Sequence, residues 1–538
     1  MMRKTAAAFL FFLLIGISFA SAAQASIDSS IDKKFQPVSE KVQSVVFYSV
    51  TVFEGTDAER NVPLILAWLV VASIFFTFYF GFVNLRMFGH SIALLRGKHD
   101  KEEGGDGQIN RFQALATSLS GTVGLGNIAG VAVAISVGGP GAMLWMMMMG
   151  FFGMSTKFTE CALAVKFRHK NPDGSFSGGP MYYITDGFAE KGKDWGTLGK
   201  WMAAFFAVCC IGGAMGGGNM FQANQSFQQF LNITGGEESF FYGKGWIYGT
   251  VLAFLVGLVI IGGIKSIARV TSKVVPLMAV VYITAGLIII MMHLPQVPAA
   301  FVMIFKEAFG IQAAAGGFIG ALIMGVQRAA FSNEAGIGSA PIAHASAKTK
   351  IPVSQGVVAM LEPFIDTIVI CTITALVIIL TGSYNLDGHM EGVALTSRAF
   401  ESSISWFPYI LAIAVILFAF STMIAWSYYG LKAFTYLVGE NPVLANCYKL
   451  FFCLVVILGS AAELTNVIGF TDAMIFAMAL PNIVGLYVLA PKLKEDLQDY
   501  YKNVIAKERA AEQKIPAKSA GKPAAKTKPK KKAAKKRK

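Results

Sequence analysis

The chain has 538 residues, 54% of them hydrophobic and only 14% charged, and its mean hydropathy is +0.56. This composition excludes a disordered protein and an ordinary cytosolic enzyme, and points to a membrane-embedded one. The net charge of +14 is concentrated at one end, and six cysteines scattered over apolar segments with no C-x-x-C pair give no basis for metal or thiol chemistry.

In chain order, Arg3 and Lys4 precede an apolar run from Ala6 to Ala20, followed by Ala23-Gln24-Ala25. That pattern predicts a secretory signal peptide over residues 1–25, with an uncleaved anchor as the alternative. In either case residues 26–62 form an extracytoplasmic segment. Eleven apolar stretches follow, at 63–86, 112–136, 141–166, 201–231, 245–263, 273–292, 312–345, 354–380, 406–437, 447–461 and 472–491. A helix of about 20 apolar residues crosses the hydrocarbon layer, so the prediction is an all-α integral membrane protein of about 11 transmembrane helices over residues 63–495. Alternating the loops from an outside start puts 18 Lys and Arg on the cytoplasmic side and 7 opposite, as the positive-inside rule requires. The protein is therefore expected in the cell inner (plasma) membrane, multi-pass, with its C-terminus cytoplasmic.

The last segment, 496–538, is read as a disordered basic cytoplasmic tail. From Pro491 onward there are 17 basic and 5 acidic residues. The lysines suit attraction to anionic lipid. From Lys514 onward no aromatic residue interleaves them, which removes the stacking platform that a nucleic-acid partner would need.

Setting aside the first span, ten remain, in two sets of five over 112–292 and 312–491. Five is odd, so the sets lie inverted in the membrane, a 5+5 inverted repeat with one extra N-terminal span. The first span of each set is interrupted. One contains Ser120-Gly121-Thr122-Val123-Gly124-Leu125-Gly126-Asn127, the other Phe331-Ser332-Asn333-Glu334-Ala335-Gly336-Ile337-Gly338. Glycine weakens a helix, and backbone groups freed at membrane depth persist only where they line a cavity. Two discontinuous helices at matching places in inverted halves point to a transporter's central site. A half-helix starting after Gly126 aims free N–H groups at the cavity, which suits a carboxylate; carbonyls of the unwound turn suit a sodium ion or an ammonium group. Gly124-x-Gly126-x-x-Ala129 also fits a dinucleotide fingerprint, but no strand precedes it and no βαβ unit surrounds it.

These two stretches resemble the alanine or glycine:cation symporter family, the sodium:alanine symporters. So do Phe112–Leu115, Gly138–Gly141, Ser177–Tyr183, Asn219–Asn224 and Trp426–Gly430. The resemblance implies a leucine-transporter-like fold and coupling of a small amino acid to sodium, with no cofactor and no enzymatic activity. It implies that substrate is held at Thr122, Gly124, Gly126 and Asn127, with backbone N–H groups taking the carboxylate, and at Thr422 and Trp426, the Trp closing a small apolar wall. Gln222, in the amide-rich run Asn219-x-x-Gln222-x-Asn224, is a further substrate contact. The resemblance also implies a sodium site of carbonyls of Ser120 and Val123 with hydroxyls of Ser421 and Thr422, an all-oxygen set that suits a hard cation. The expected cargo is alanine, with glycine or D-alanine as further substrates. The alternatives are proton coupling and an amino-acid-sensing receptor.

Charged residues inside spans are costly and so draw functional hypotheses. Lys157 and Glu160 are expected to pair as scaffold, Arg328 to pair with Glu362 or Asp366 as a gate, and Glu334 to tune the second break. His293 and His344 are expected at the membrane interfaces, and the Met143–Met149 run in packing.

Overall fold

The computed structural model describes residue 37 and residues 40–52, 60–97, 105–310, 317–385, 392–462 and 464–507. The expected signal peptide and most of the lysine-rich end lie outside the described residues. Strands β1 (Ser49–Val52) and β2 (Arg60–Pro63) form an antiparallel hairpin, and Pro63, extended, leads into α1 (Leu64–Tyr79). Left-handed Gly81 and Phe82 turn the chain into two short helices, Val83–Arg86 and Phe88–Leu95.

The first interrupted span is α2 (Arg111–Thr122), a π-turn at Gly126–Gly130, and α3 (Val131–Gly138). A capping box opens α2: the Gln113 amide donates to Asn110 Oδ1 at 2.8 Å and the Asn110 amide to Gln113 Oε1 at 3.1 Å. Next come α4 (Ala142–Lys166), α5 (Pro180–Ala189), and α6 (Lys193–Met215), which runs through a π-turn at Gly216–Met220 into α7 (Phe221–Ile233). Then come α8 (Gly245–Ile260), α9 (Gly263–Met292) and α10 (Val297–Phe309). The second interrupted span is α11 (Gly317–Asn333) and α12 (Ala340–His344). Its successor starts as α13 (Pro352–Ala359), swells into a π-segment at Phe364–Cys371 and ends as α14 (Thr372–Leu380). The remaining helices are α15 (Val393–Glu401), α16 (Phe407–Val438), α17 (Pro442–Ala461) and α18 (Leu464–Tyr500).

Each of the eleven apolar stretches contains helix. By length and hydropathy alone, six helices among the described residues could cross a membrane, or seven when the bent pair α2–α3 counts as one. The stretches that miss this criterion are short (α1, α8), interrupted (α11–α12) or carry internal charge (α4). Helices α5, α10 and α15 are additions that hydropathy did not reveal.

The core sits around α16. Its apolar window is 72% buried, against 33% for that of α9, so α16 is central and α9 peripheral. The small residues Ala412, Ala419, Ala425 and Ala433 of α16 are all buried, which lets neighbouring backbones approach closely.

The chain divides into a large unit through Leu493 and a second one from Lys494. In the second, helix continues to Tyr500 and then a π-turn at Tyr501–Ile505, so regular structure passes the expected boundary at residue 495.

Candidate substrate and ion site

Helix α2 stops because Val123 is extended (φ −72°, ψ 92°), and its axis bends by 49° before helix resumes. Gly124 is required here by space. A Cβ at this position would lie 2.5 Å from Thr422 Oγ1 and 3.4 Å from Gln222 Oε1. The second break runs from Glu334 to Ser339. Glu334 (φ 55°), Gly336 (φ 87°) and Gly338 (φ 92°) are all left-handed, a conformation that costs a side-chain-bearing residue energy. A Cβ on Gly338 would sit 2.7 Å from Pro180 Cγ and 2.9 Å from Asn482 Cγ.

The two breaks are bound to each other. Asn127 Oδ1 accepts from the Gly124 amide at 2.8 Å, while its Nδ2 donates to Asp366 Oδ1 at 2.6 Å and to Ser332 Oγ at 3.1 Å. Ser332 Oγ donates in turn to Asp366 Oδ2 at 2.8 Å, and Thr367 Oγ1 to the same oxygen at 2.7 Å. Asp366 lies on the π-segment, whose extra residue per turn turns the carboxylate toward both breaks.

Between the breaks lies a hollow of about 10 Å³, lined by Gly121, Thr122, Gly126, Gly217, Gln222, Phe331, Glu334, Trp426 and Ile475. That is room for about one water molecule, far below the ~300–1,000 Å³ of pockets for drug-sized ligands, so the site is closed in this structure. Gln222 bridges its wall: Nε2 donates to the Gly217 carbonyl at 2.9 Å, and Oε1 accepts from the Leu125 amide at 3.5 Å. Trp426 donates from Nε1 to Glu334 Oε1 at 3.1 Å, and its indole lies against Gly218, where a Cβ would collide with the ring. Glu334 Oε2 accepts from Ser339 Oγ.

The residues expected to hold sodium lie at the α2–α16 contact. Ser120 Oγ donates to the Thr117 carbonyl at 2.9 Å and to the Ser421 carbonyl at 3.2 Å; Ser421 Oγ donates to the Phe418 carbonyl at 2.9 Å. Thr422 Oγ1 is buried without a hydrogen-bond partner among the described residues. A buried hydroxyl left unsatisfied costs free energy, and this one faces the unwound turn at Gly124. The donor set is all oxygen, so its chemistry fits a hard cation.

Three charge expectations are corrected. Arg328 pairs with Asp472, both side chains 5% exposed, rather than with Glu362 or Asp366, because α18 packs beside α11 while Asp366 is taken by Asn127 and Ser332. Lys157 faces Glu362 at 3.7 Å rather than Glu160, and Glu160 accepts from Asn482 Nδ2 at 2.6 Å. His344 is fully buried, with Nδ1 2.6 Å from Gln355 Nε2, and so is no interface residue. Asn219, from the same amide-rich run as Gln222, donates to the Phe452 carbonyl at 2.7 Å. Gly121 and Phe331 line the hollow from the two stretches expected to break, whereas its lining at Gly217 and Ile475 was not anticipated.

The fold and site define a multi-pass membrane carrier rather than an enzyme. The sodium:alanine symporter family pattern matches residues 47–514, and the chain belongs to that family. The chain is 42% identical over 431 residues to the sodium/alanine symporter AgcS of Methanococcus maripaludis, covering 80% of this chain and 92% of the relative. It is 34% identical over 440 residues to the probable sodium/glutamine symporter GlnT of Bacillus subtilis, covering 81% and 87%. Among solved structures, MhsT in complex with L-phenylalanine aligns at a TM-score of 0.47 and 14% identity, over 72% of this chain and 99% of that one.

Proposed function

We propose that the protein is a sodium-coupled symporter that imports a small neutral amino acid, alanine first, by alternating access across the inner membrane. The observation that carries this reading is the small hollow closed between two broken helices. On this reading the amides of the first break take the substrate carboxylate. Gln222 Oε1 now stands 3.5 Å from the Leu125 amide, where an anionic substrate oxygen would make a stronger, charge-assisted bond. Thr122, Gly124, Gly126, Asn127, Thr422 and Trp426 complete the pocket. Gly217 and Gly218 let Ile475 and Trp426 pack directly against the backbone, so this wall offers no space to a large substrate side chain.

Sodium sits with Ser120, Val123, Ser421 and Thr422, which ties α2 to α16 and makes ion and substrate occupancy interdependent. Alanine is a net-neutral zwitterion, so each sodium imports one charge and draws about 2.3 kcal/mol per 100 mV of membrane potential. The architecture proposed is eleven spans in a 5+5 inverted repeat with one extra, the C-terminus in the cytoplasm and residues 1–25 removed as a signal peptide. The basic tail lies on anionic lipid.

The test is alanine uptake into proteoliposomes with sodium replaced by choline at fixed pH. Uptake that stops supports sodium coupling. Undiminished uptake rejects it in favour of proton coupling.

A further inference from the structure

Among the described residues, Glu334 is the only acidic side chain that lines the hollow. It is 3% exposed, and its backbone holds a left-handed conformation that, among described residues other than glycine, only Phe82 shares. That strain places the side chain at the second break, and both carboxylate oxygens are then held, Oε1 by the Trp426 indole and Oε2 by the Ser339 hydroxyl. A carboxylate accepts about four hydrogen bonds, so each oxygen keeps a lone pair free. Neither of the two donors carries charge. Among the described residues no Lys, Arg or His forms an ion pair with Glu334. The buried Lys157 and His344 stand 3.7 Å from Glu362, and Arg328 pairs with Asp472.

Lys157 attracts the Glu334 carboxylate from beyond ion-pair distance, and a buried, oriented carboxylate with no cation in direct contact is expensive. The free energy of the site falls when a cation with N–H donors enters the hollow beside it. We propose that Glu334 is the counter-charge for the ammonium group of the transported amino acid, a reading that rests on the proposed function. The site then recognises a zwitterion from both ends. The amides of the first break bind its carboxylate, and the carboxylate of the second binds its ammonium group. Trp426 and Ser339 act as positioning residues that aim Glu334. A 2-hydroxy acid of the same size, having no ammonium group, leaves Glu334 uncompensated and is rejected.

Full-length protein in proteoliposomes tests this in two arms. Lactate, which replaces the ammonium of alanine by a hydroxyl, is expected not to compete with alanine uptake by the wild type even in large excess. Glu334→Gln keeps size and an acceptor for Trp426 but removes the charge. It is expected to raise the alanine KM by about 30-fold or more, the cost of stripping one partner from a buried charge pair. Half-saturating sodium, measured at saturating alanine, is expected to stay unchanged. Competition by lactate comparable to that by alanine, an unchanged KM in the variant, or a shift in sodium dependence instead of KM each overturns the assignment. If Glu334→Gln does not fold, the lactate arm still decides. A wild type that takes up no alanine rejects the proposed function itself, a result distinct from all of these.

Discussion

Gly124→Ala is the sharpest probe of the contact between the first break and α16. The added Cβ would lie 2.5 Å from Thr422 Oγ1, about 1 Å inside ordinary van der Waals contact, while the next neighbours, Gln222 Oε1 at 3.4 Å and Thr422 Cβ at 3.6 Å, are tolerable. The clash is therefore with one atom. Thr422 cannot swing freely, because a β-branched side chain in a helix has few open rotamers and α16 is buried there. Overpacking of this kind costs about 1–3 kcal/mol. Thr422→Ala deletes that atom together with Cγ2 and leaves Cβ in place. In the double variant the two alanines are in ordinary contact, so most of the cost of Gly124→Ala should vanish. The coupling energy between the two sites should be at least about 1 kcal/mol, within the range for residues in contact. The assay is thermal unfolding of the four purified proteins in one detergent, reduced to a double-mutant cycle. Additive destabilisation, with no recovery in the double variant, would refute the packing argument and with it the claim that glycine at 124 is there to admit Thr422.

Gly218→Ala drives a Cβ into the Trp426 ring, so alanine uptake should fall while Gly89→Ala, with open space around it and an ordinary helical backbone, leaves uptake as it was; equal effects in vesicle assays would argue against the indole wall. Asp472→Ala strands a buried guanidinium and should cost about 3–5 kcal/mol; a loss no greater than the ~1 kcal/mol of an exposed pair, measured by unfolding, would deny the Arg328–Asp472 pair its role. Asp106, by contrast, is fully exposed, and its hydrogen bond to the Lys170 ammonium holds its carboxyl below the usual range. A lowered value means any contribution is present at neutral pH and fades as pH falls through the carboxylate range, and solvent screening makes it small, so Asp106→Asn should leave the melting temperature unchanged at pH 7. Deleting residues 514–538 should leave sodium-dependent uptake intact; its loss would mean that the tail takes part in transport.

Much of this was legible in the residues because glycine and buried polar atoms are expensive at membrane depth. The runs Gly121–Gly130 and Phe331–Pro341 carry both, and both runs are broken in the structure. Helix existence followed from hydropathy for the long apolar stretches such as α9 and α16. It failed where length and hydropathy are poor guides: α10, lying beside His293-Leu294-Pro295, and α5, entered through Pro180, are helices without a long apolar run. Partner choice among buried charges was not legible at all. Lys157 has Glu160 three residues away, but helical proximity is one contact among several, and the turn Leu361–Pro363 that follows α13 brings Glu362 instead. Arg328 found Asp472, 144 positions further along the chain. Such pairings depend on which helices pack together, and no spacing rule in one sequence encodes that.

The arrangement of these charges bears on how a site closed on both sides could open on one. Main-chain bonds tie the entry to α2, the inner part of the first interrupted span, to the segment just past α12. The Gln108 amide donates to the Ser346 carbonyl at 2.8 Å and the Lys348 amide to the Ile109 carbonyl at 2.8 Å. Arg168 reinforces this tie, donating to the carbonyls of Ala345, Ala347, Thr349 and Asp106 at 2.6–2.9 Å. Deeper, Ser118 of α2 donates to both oxygens of Glu362 at 2.9 Å, and His344 of α12 approaches the same carboxylate at 3.7 Å. Two half-helices joined at both depths resist separate motion, because parting them strands several buried polar groups at once. On the proposed mechanism they move as one body, and the hinge falls at the breaks, where Val123 and Glu334–Ser339 interrupt the helical bonding. Arg168→Ala removes four carbonyl contacts without touching the hollow. It should therefore loosen that joint, raising modification of a cysteine placed at Ser346 by a cytoplasmic-side thiol reagent while alanine still protects it. Unchanged modification would mean that the main-chain tie alone holds the two halves, and that the guanidinium is incidental to closure.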